Sequence, residues 1–215
     1  MLDSFLADHG LIAQAPRMVA QQTYAIIEPV LESDLMKRLY QNGVADLLHA
    51  KLFADTEYRS LADKGPVIVQ LSAENDSFAE LMTAFEARPS GFFIHSGADF
   101  ENVLAWARQR LTAQTSMAKA LLRFYEPRML LPLLGSLNRA EKACFLANIG
   151  TLYWFHHQWL STEISLPSEE PTSAQNDGST QREYAGLVLD SSYLNNMENI
   201  HQKWAEQQGV PSDVE

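Results

Sequence analysis

The sequence of 215 residues contains a single cysteine, Cys144, and is poor in positive charge. One cysteine excludes an intramolecular disulfide framework and a zinc site built from cysteines, and it fits a reducing compartment. Lys and Arg together number 16 against 27 Asp and Glu, so the formal net charge is −11. A chain this acidic has little attraction for a phosphate backbone, and we therefore expect no nucleic-acid partner.

The sequence also lacks an apolar run that suits a membrane. Residues 143–162 form the longest stretch without a formal charge, but Asn148, His156 and His157 would have to enter the lipid. Residues 1–16 contain Asp3, no Lys or Arg, and no apolar run of signal-peptide length. We therefore expect a soluble, cytoplasmic protein without a membrane partner.

The motifs of the common catalytic sites are missing as well. The sequence has no glycine-rich phosphate loop, no Gly-x-Ser-x-Gly nucleophile elbow and no His-Glu-x-x-His metal motif. Cys144 lies between Ala143 and Phe145 on a predicted core face, which indicates a buried structural thiol. We therefore expect no catalytic residue, no metal site and no cofactor, and a protein that is not an enzyme.

Two adjacent histidines, His156 and His157, offer the main alternative from the enzyme class. Neighbouring side chains on a strand point to opposite faces, so both cannot easily bind one metal ion. A small hydrolase or transferase that uses His156 or His157 with a nearby carboxylate stays open. A second group of polar residues, Asp55 and Glu57 followed by Arg59, indicates a surface charge cluster, with contact to a partner as the alternative.

Short apolar runs alternate with amphipathic stretches along the chain, and this pattern predicts alternating strands and helices. The predicted strands cover residues 24–27, 67–71, 91–94, 121–125 and 151–160. The predicted helices begin at Ser33, at Ser77, near Asp99, at Pro127, near Asn138 and at Ser191. Ser77 with Glu80 predicts a capping box, and Asn138 with Glu141 predicts a similar cap. The fold class is therefore α/β (α+β), with a mixed sheet flanked by helices.

Composition divides the chain into two parts joined by a linker. Residues 161–181 are rich in polar residues and proline, which predicts a flexible linker or loop. We therefore predict an α/β domain over residues 1–160 and a C-terminal helical lobe with a frayed tail over 182–215. The acidic charge is concentrated toward the lobe, because residues 161–215 carry ten acidic and two basic side chains.

The predicted helix of the lobe, residues 191–208, has an apolar stripe. Tyr193, Met197, Ile200 and Trp204 follow one another at helical spacing and form one continuous face. Such a face either packs on the body of the same protein or enters a groove of a partner. The sequence leaves both possibilities open.

The segment 122–130 is unusual because aromatic, acidic, proline and arginine residues meet at a predicted strand-to-helix junction. Glu126 lies beside the start of the helix, where negative charge is favourable, and Pro127 suits the first helical position. Arg128 can return to Glu126, stack on Tyr125 or reach a partner. The segment is therefore a structural corner or a binding surface.

The residues Phe124-Tyr-Glu-Pro-Arg128 resemble the Phe-Tyr-Asp-Pro-Arg signature of the adaptor chaperones of bacterial type VI secretion, a family first described as a domain of unknown function. Other blocks resemble the family in the same order: Tyr24–Ile27, the segment from Leu52 to Leu71, Gly91–Ser96, and the segment from Ile149 to Leu160. The resemblance spans roughly residues 22–160. It departs from the family where Glu126 replaces the usual Asp and where Val67 replaces a common tryptophan.

The resemblance implies a non-catalytic adaptor or chaperone. Such a protein binds a secreted effector in the cytoplasm and promotes its loading onto the spike, which is a trimer of valine-glycine-repeat protein, or onto the cap of the spike. The candidate partner-binding residues are Tyr125, Glu126 and Arg128 in the signature and Tyr193, Met197, Ile200 and Trp204 in the C-terminal lobe. An immunity protein that neutralises a toxin, also small and acidic, is the alternative partner-binding function.

Overall fold

A computed structural model describes residues 2–20, 22–31, 34, 37, 48–74, 76–147, 149–162 and 186–208. The strands of these residues are β1 (Ile12–Ala13), β2 (Thr23–Ile27), β3 (His49–Lys51), β4 (Val67–Gln70), β5 (Gly91–His95), β6 (Thr112–Thr115), β7 (Lys119–Leu121), β8 (Thr151–His156), β9 (Gln158–Thr162) and β10 (Leu187–Leu189). The α-helices are α1 (Leu2–Asp8), α2 (Ser77–Ala87), α3 (Phe100–Gln109), α4 (Pro127–Ser136), α5 (Arg139–Phe145) and α6 (Ser191–Gln207). Three predicted segments lie mostly outside the described residues. They are the helix predicted from Ser33, of which only Asp34 and Lys37 are described, the predicted linker, and the end of the predicted tail.

The strands form one large sheet and one small sheet. The large sheet has seven strands in the order β1-β9-β8-β5-β2-β4-β3, and its neighbouring strands are antiparallel. The small sheet has the order β10-β6-β7, with β10 parallel to β6 and β7 antiparallel to it. This architecture confirms an α+β fold. The sequence predicted one mixed sheet. In the structure, parallel and antiparallel pairing occur together only in the small sheet, and the large sheet is antiparallel.

Helices cover both faces of the large sheet. Alternate residues of β2 point to opposite faces, so that Tyr24 and Ile26 join one apolar cluster while Ala25 joins the other. The Ala25 face is covered by α2 through the buried side chains of Leu81 and Phe85. The opposite face is covered by residues of the other five described helices. Because both faces are buried, the central strands have the continuous apolar sequences that made them predictable.

The two predicted helix caps have different outcomes. Ser77 is the first residue of α2, and the N-cap residue is Asp76, whose side chain makes no capping hydrogen bond, so the capping box predicted for Ser77 is wrong. The side chain of Ser77 is buried and lies inside the helix boundary. The cap at the start of α5 is confirmed: Asn138 accepts hydrogen bonds from two backbone N–H groups, and Glu141 accepts one from the backbone of Asn138.

Two predicted strands differ from the structure. The strand predicted over residues 121–125 is wrong beyond Leu121, because the chain turns before α4. The single strand predicted over residues 151–160 is a hairpin of β8 and β9, reversed at His157, whose φ is 64°. A left-handed backbone is uncommon for any residue other than glycine, and residues 156–158 contain no glycine, asparagine or proline, so the sequence carried no turn signal there.

Cys144 is also placed differently from the prediction. The structure leaves it exposed, whereas the neighbouring Phe145 is buried. Successive residues of a helix point about 100° apart, and in α5 the direction of Phe145 meets the core while that of Cys144 does not. The prediction of a buried thiol is therefore wrong.

The C-terminal segment shares its core with the rest of the protein. Strand β10 pairs with β6, and α6 packs against α4. Met197, Ile200 and Trp204 belong to the same apolar cluster as Leu6 and Leu130. The described part of the predicted helical lobe is thus continuous with the body. None of the helices formed by the described part of the chain is both long enough and apolar enough to cross a lipid bilayer.

Candidate functional site

The signature segment forms a corner that is anchored by an aromatic side chain. The chain leaves β7, turns through Phe124 and Tyr125, and enters α4 at Pro127. Phe124 is fully buried, and its ring meets those of Trp106 and Phe145 edge to face at centroid distances of 5.6 and 6.1 Å. Aromatic contacts of this kind add to the free energy gained from burying the ring. Phe124 therefore holds the corner on the core.

Tyr125 is packed within the corner and is not a surface group. Its side chain is buried, and its ring meets that of Phe53 edge to face at a centroid distance of 5.8 Å. The guanidinium carbon of Arg123 lies 5.8 Å from the ring centroid of Tyr125. Burial raises the pKa of Tyr125, and a hydrogen bond with Arg123 opposes that rise. The phenol is therefore neutral at physiological pH and serves as a packing surface for Arg123.

Glu126 connects the buried corner to two arginines at the surface. It is the N-cap residue of α4, and its carboxylate is buried. The Nε of Arg128 donates to Oε2 of Glu126 at 2.7 Å, and Arg123 forms an ion pair with Oε1. The side chains of Arg123 and Arg128 are 53% and 70% exposed. One carboxylate thus holds two guanidinium groups in place while they face solvent.

A second carboxylate, Glu28, lies buried beside this group. It follows β2, and its Oε2 has no hydrogen-bond partner among the described residues. Burial raises the pKa of Glu28, Arg123 lowers it, and Glu126 raises it further. We call Glu28, Arg123, Glu126 and Arg128 the arginine corner. A guanidinium has five N–H donors, so each arginine keeps donors for a partner carboxylate after it binds Glu126.

The predicted stripe of the C-terminal helix faces the protein itself. Met197, Ile200 and Trp204 are buried, and Tyr193 is partly buried. The hydroxyl of Tyr193 donates to Glu141, and this hydrogen bond raises the pKa of Tyr193 to about 12. Partner contact by these four residues stays a prediction, and it would require α6 to leave the body.

His156 and His157 lie next to Trp204 in the structure. The ring of His156 stacks on that of Trp204 at 5.8 Å, and the two histidine rings are 5.1 Å apart. Burial, together with the nearby His157 and His201, lowers the pKa of His156 to about 4. The described residues contain no group of three His, Cys, Asp or Glu side chains placed to hold a metal ion. His156 is therefore a neutral packing residue at physiological pH.

We expect the stability of the protein to fall as the pH is lowered from about 6.5 to about 4. The unfolded chain binds a proton at His156 below its ordinary pKa of 6.5, whereas the folded chain does not until the pH approaches about 4. After allowance for partial exposure, the loss is on the order of 1–2 kcal/mol. Urea unfolding of the wild type and of His156→Phe at several pH values measures it as the difference between the two proteins.

The control for that measurement is Val188→Thr, since Val188 is exposed on β10 and the change removes no titratable group. This variant is expected to keep the pH dependence of the wild type. Equal pH dependence of wild type and His156→Phe would contradict the assignment to His156.

Arg110 is a structural residue that sequence reasoning missed. It is buried, lies with its guanidinium carbon 5.0 Å from the ring centroid of Trp106, and donates to the backbone oxygens of Trp106, Cys144 and Phe145. It thereby satisfies carbonyl groups at the C-terminal end of α5. The surrounding polar sequence resembles an exposed helix end, so no signal distinguished Arg110 from a surface arginine.

The charge cluster predicted at Asp55 and Glu57 is confirmed as a surface feature. Asp55 pairs with Arg108 at 3.2 Å, and Glu57 pairs with Lys119 at 2.7 Å. The Nε of Arg108 also donates to the backbone oxygen of Leu52 at 3.3 Å. These contacts connect the segment after β3 to α3 and to the small sheet.

Comparison with known proteins gives one match. A family model described as a domain of unknown function, DUF4123, matches residues 23–144, which is more than half of the chain. The matched region extends from β2 to α5 and contains the whole arginine corner. No curated protein and no solved structure matches the chain.

Proposed function

The chain belongs to the DUF4123 family, which is known in effector-loading adaptors of type VI secretion, and we propose that it is such an adaptor. In this proposal it binds a secreted effector in the cytoplasm and promotes loading of the effector onto the spike trimer or its cap. It performs no catalysis and uses no cofactor. The observation that carries the proposal is the Phe124–Arg128 signature within the matched region.

The geometry of the signature supports a role in protein contact. Four of its five residues, Phe124 to Pro127, are buried and fix the corner, while Arg128 remains exposed. Arginine is enriched among the residues that dominate protein–protein interfaces. The ion pair with Glu126 reduces the conformational freedom that Arg128 would lose on binding. The contact residues in this proposal are therefore Arg128 of the signature and Arg123, which precedes it.

A tagged pull-down from the native cell lysate tests the proposed function. The co-purifying proteins are identified by mass spectrometry, in cells that express the secretion apparatus. Recovery of a large effector together with a spike or cap protein is the expected result. A protein recovered without partners would contradict the proposal, and neutralisation of an isolated toxin domain would favour an immunity protein.

We expect Arg128→Ala to weaken effector or spike binding by at least about tenfold without unfolding the protein. Because Arg128 is 70% exposed, its ion pair contributes no more than about 1 kcal/mol to stability. Quantitative pull-down and thermal unfolding of the same variant measure the two effects. Arg88→Ala, which removes another exposed arginine, is the matched control and is expected to change neither. Wild-type affinity of Arg128→Ala would remove Arg128 from the binding surface.

A further inference from the structure

A cleft lies at the end of the large sheet opposite the arginine corner. Strand β2 ends at the corner, where the backbone N–H of Glu28 donates to Ser90, and it begins at the cleft, where Tyr24 lies opposite Gln70. The cleft has a volume of about 710 Å³. Its walls are formed by the segment before β2, the segment after β4 and the loop that contains Gly97.

The floor of the cleft is aromatic and fixed. Tyr24 and Phe100 are buried, and their ring centroids are 6.5 Å apart. The hydroxyl of Tyr24 donates to the backbone oxygen of Ala98 at 2.7 Å, which ties the floor to the Gly97 loop. Leu48 lines the same cleft and is 59% exposed. The apolar surface that the cleft offers to an entering side chain is therefore that of Leu48, since Tyr24 and Phe100 keep almost no exposed surface.

The walls of the cleft carry negative charge. Glu74 and Asp99 line it and are exposed, and none of the described lining residues is Lys or Arg. The surrounding sequence has the same sign: residues 65–107 contain six acidic residues and one basic residue, Arg88. One oxygen of Asp99 accepts a hydrogen bond from the backbone of Asn102 at 2.9 Å, as the cap of α3. A positively charged side chain is the group that complements this lining.

We infer that the cleft binds a basic and partly apolar segment of a partner polypeptide. A Lys or Arg side chain of that segment lies near Glu74 and Asp99, and an apolar side chain contacts Leu48. The inference rests on the proposed function, to which it adds a second contact surface. The two surfaces lie about 13 Å apart along the strand from Tyr24 to Glu28, because a strand rises about 3.3 Å per residue.

The chemistry of the two surfaces differs in a way that suits an adaptor. The arginine corner presents donors to carboxylates, and the cleft presents carboxylates to donors. Surfaces of opposite charge discriminate between partners, since contact between like charges is unfavourable. The inference therefore assigns the basic segment to the cleft and leaves the corner to a different part of the assembly.

Two variants alter the cleft by independent means. Glu74→Lys reverses one charge in the wall, and Gly97→Phe adds a bulky side chain at the cleft, where no heavy atom beyond the two neighbouring residues lies within 4 Å of a Cβ built on Gly97. Glu206→Lys is the matched control, since it makes the same charge change at an exposed position on α6. Circular dichroism and thermal unfolding verify that each variant is folded.

The probe is a fluorescein-labelled octapeptide of alternating lysine and leucine, and its counterpart contains glutamate in place of lysine. Binding is measured by fluorescence anisotropy at an ionic strength of about 0.02 M and again at about 0.15 M, where charges are more strongly screened. We expect the lysine peptide to bind and the glutamate peptide not to bind. We expect Glu74→Lys and Gly97→Phe each to lower the affinity for the lysine peptide by at least about tenfold. We expect Glu206→Lys to lower it by less than about twofold.

Equal binding of the lysine peptide to the wild type and both cleft variants would overturn the inference, because it would mean diffuse attraction to an acidic surface. Sedimentation of the protein alone tests for a second copy as the occupant. Self-association that Gly97→Phe abolishes, without peptide binding, would also overturn the inference. If an effector and a spike protein are recovered from the lysate but the cleft variants bind the peptide as the wild type does, the inference about the cleft is overturned and the proposed adaptor function is kept. The expected peptide pattern without recovered partners would retain the cleft as a peptide site and contradict the adaptor function.

Discussion

Replacement of Trp204 by alanine is expected to lower the free energy of unfolding by about 4 kcal/mol, as large-to-small substitutions of buried aromatic residues do. Trp204 is 1% exposed. Its ring lies 5.9 Å from that of Phe5 and stacks on His156, so the substitution leaves a cavity between three separate parts of the chain. Urea unfolding followed by circular dichroism measures the loss.

Leu194→Ala is the control on the same helix, because Leu194 is 50% exposed, and it is expected to cost no more than about 0.5 kcal/mol. The pair of variants also decides between the two roles that the sequence left open for the stripe of α6. Trp204→Ala with wild-type stability and lost partner binding would contradict the packing described above and make the stripe a binding surface.

Replacement of Phe124 by alanine is also expected to lower the free energy of unfolding strongly, by about 3–5 kcal/mol. The ring is fully buried and meets those of Trp106, Phe145 and Phe92. Loss of the ring removes the anchor of the arginine corner, so partner binding is expected to decrease as a consequence of unfolding. Chemical denaturation and pull-down of the same preparation measure both effects.

The comparison with Arg128→Ala separates the structural and binding residues of one short motif. Phe124→Leu, which retains most of the buried volume, is expected to cost less than about 1.5 kcal/mol and to keep the partner. A stable Phe124→Ala variant would refute the role of Phe124 as the anchor.

The central strands were predictable because their sequences fit only one buried structure. The segments 24–27, 67–71 and 91–94 are short, apolar and bounded by turn residues, and all three form neighbouring strands of the large sheet. The hairpin at His157 was not predictable, since its left-handed backbone occurs without glycine or asparagine. The residues after Leu121 were predicted as a strand because they are apolar and aromatic. In the structure, their burial comes from tertiary contacts and not from pairing in a sheet.

The candidate site was predictable only where its contacts are local. The sequence indicated that Glu126 could meet Arg128 two positions later, and the structure contains that ion pair. It gave no sign of Glu28, which reaches the same corner from the end of a distant strand. Likewise, it identified the stripe of α6 but not its contact with Phe5. Contacts between residues far apart in sequence depend on topology, which one sequence does not specify.

The contact between Phe5 and Trp204 has a consequence for how the protein is made. At about 5–20 residues per second, a ribosome adds Trp204 roughly 10–40 s after Phe5. During that interval α1 has no α6 to cover it. For much of it β1 also lacks β9, its pairing partner in the large sheet. The native core is therefore completed only after α6 has been synthesised. Until then the nascent chain exposes the apolar surface of α1, and a chain terminated before α6 would keep that surface exposed.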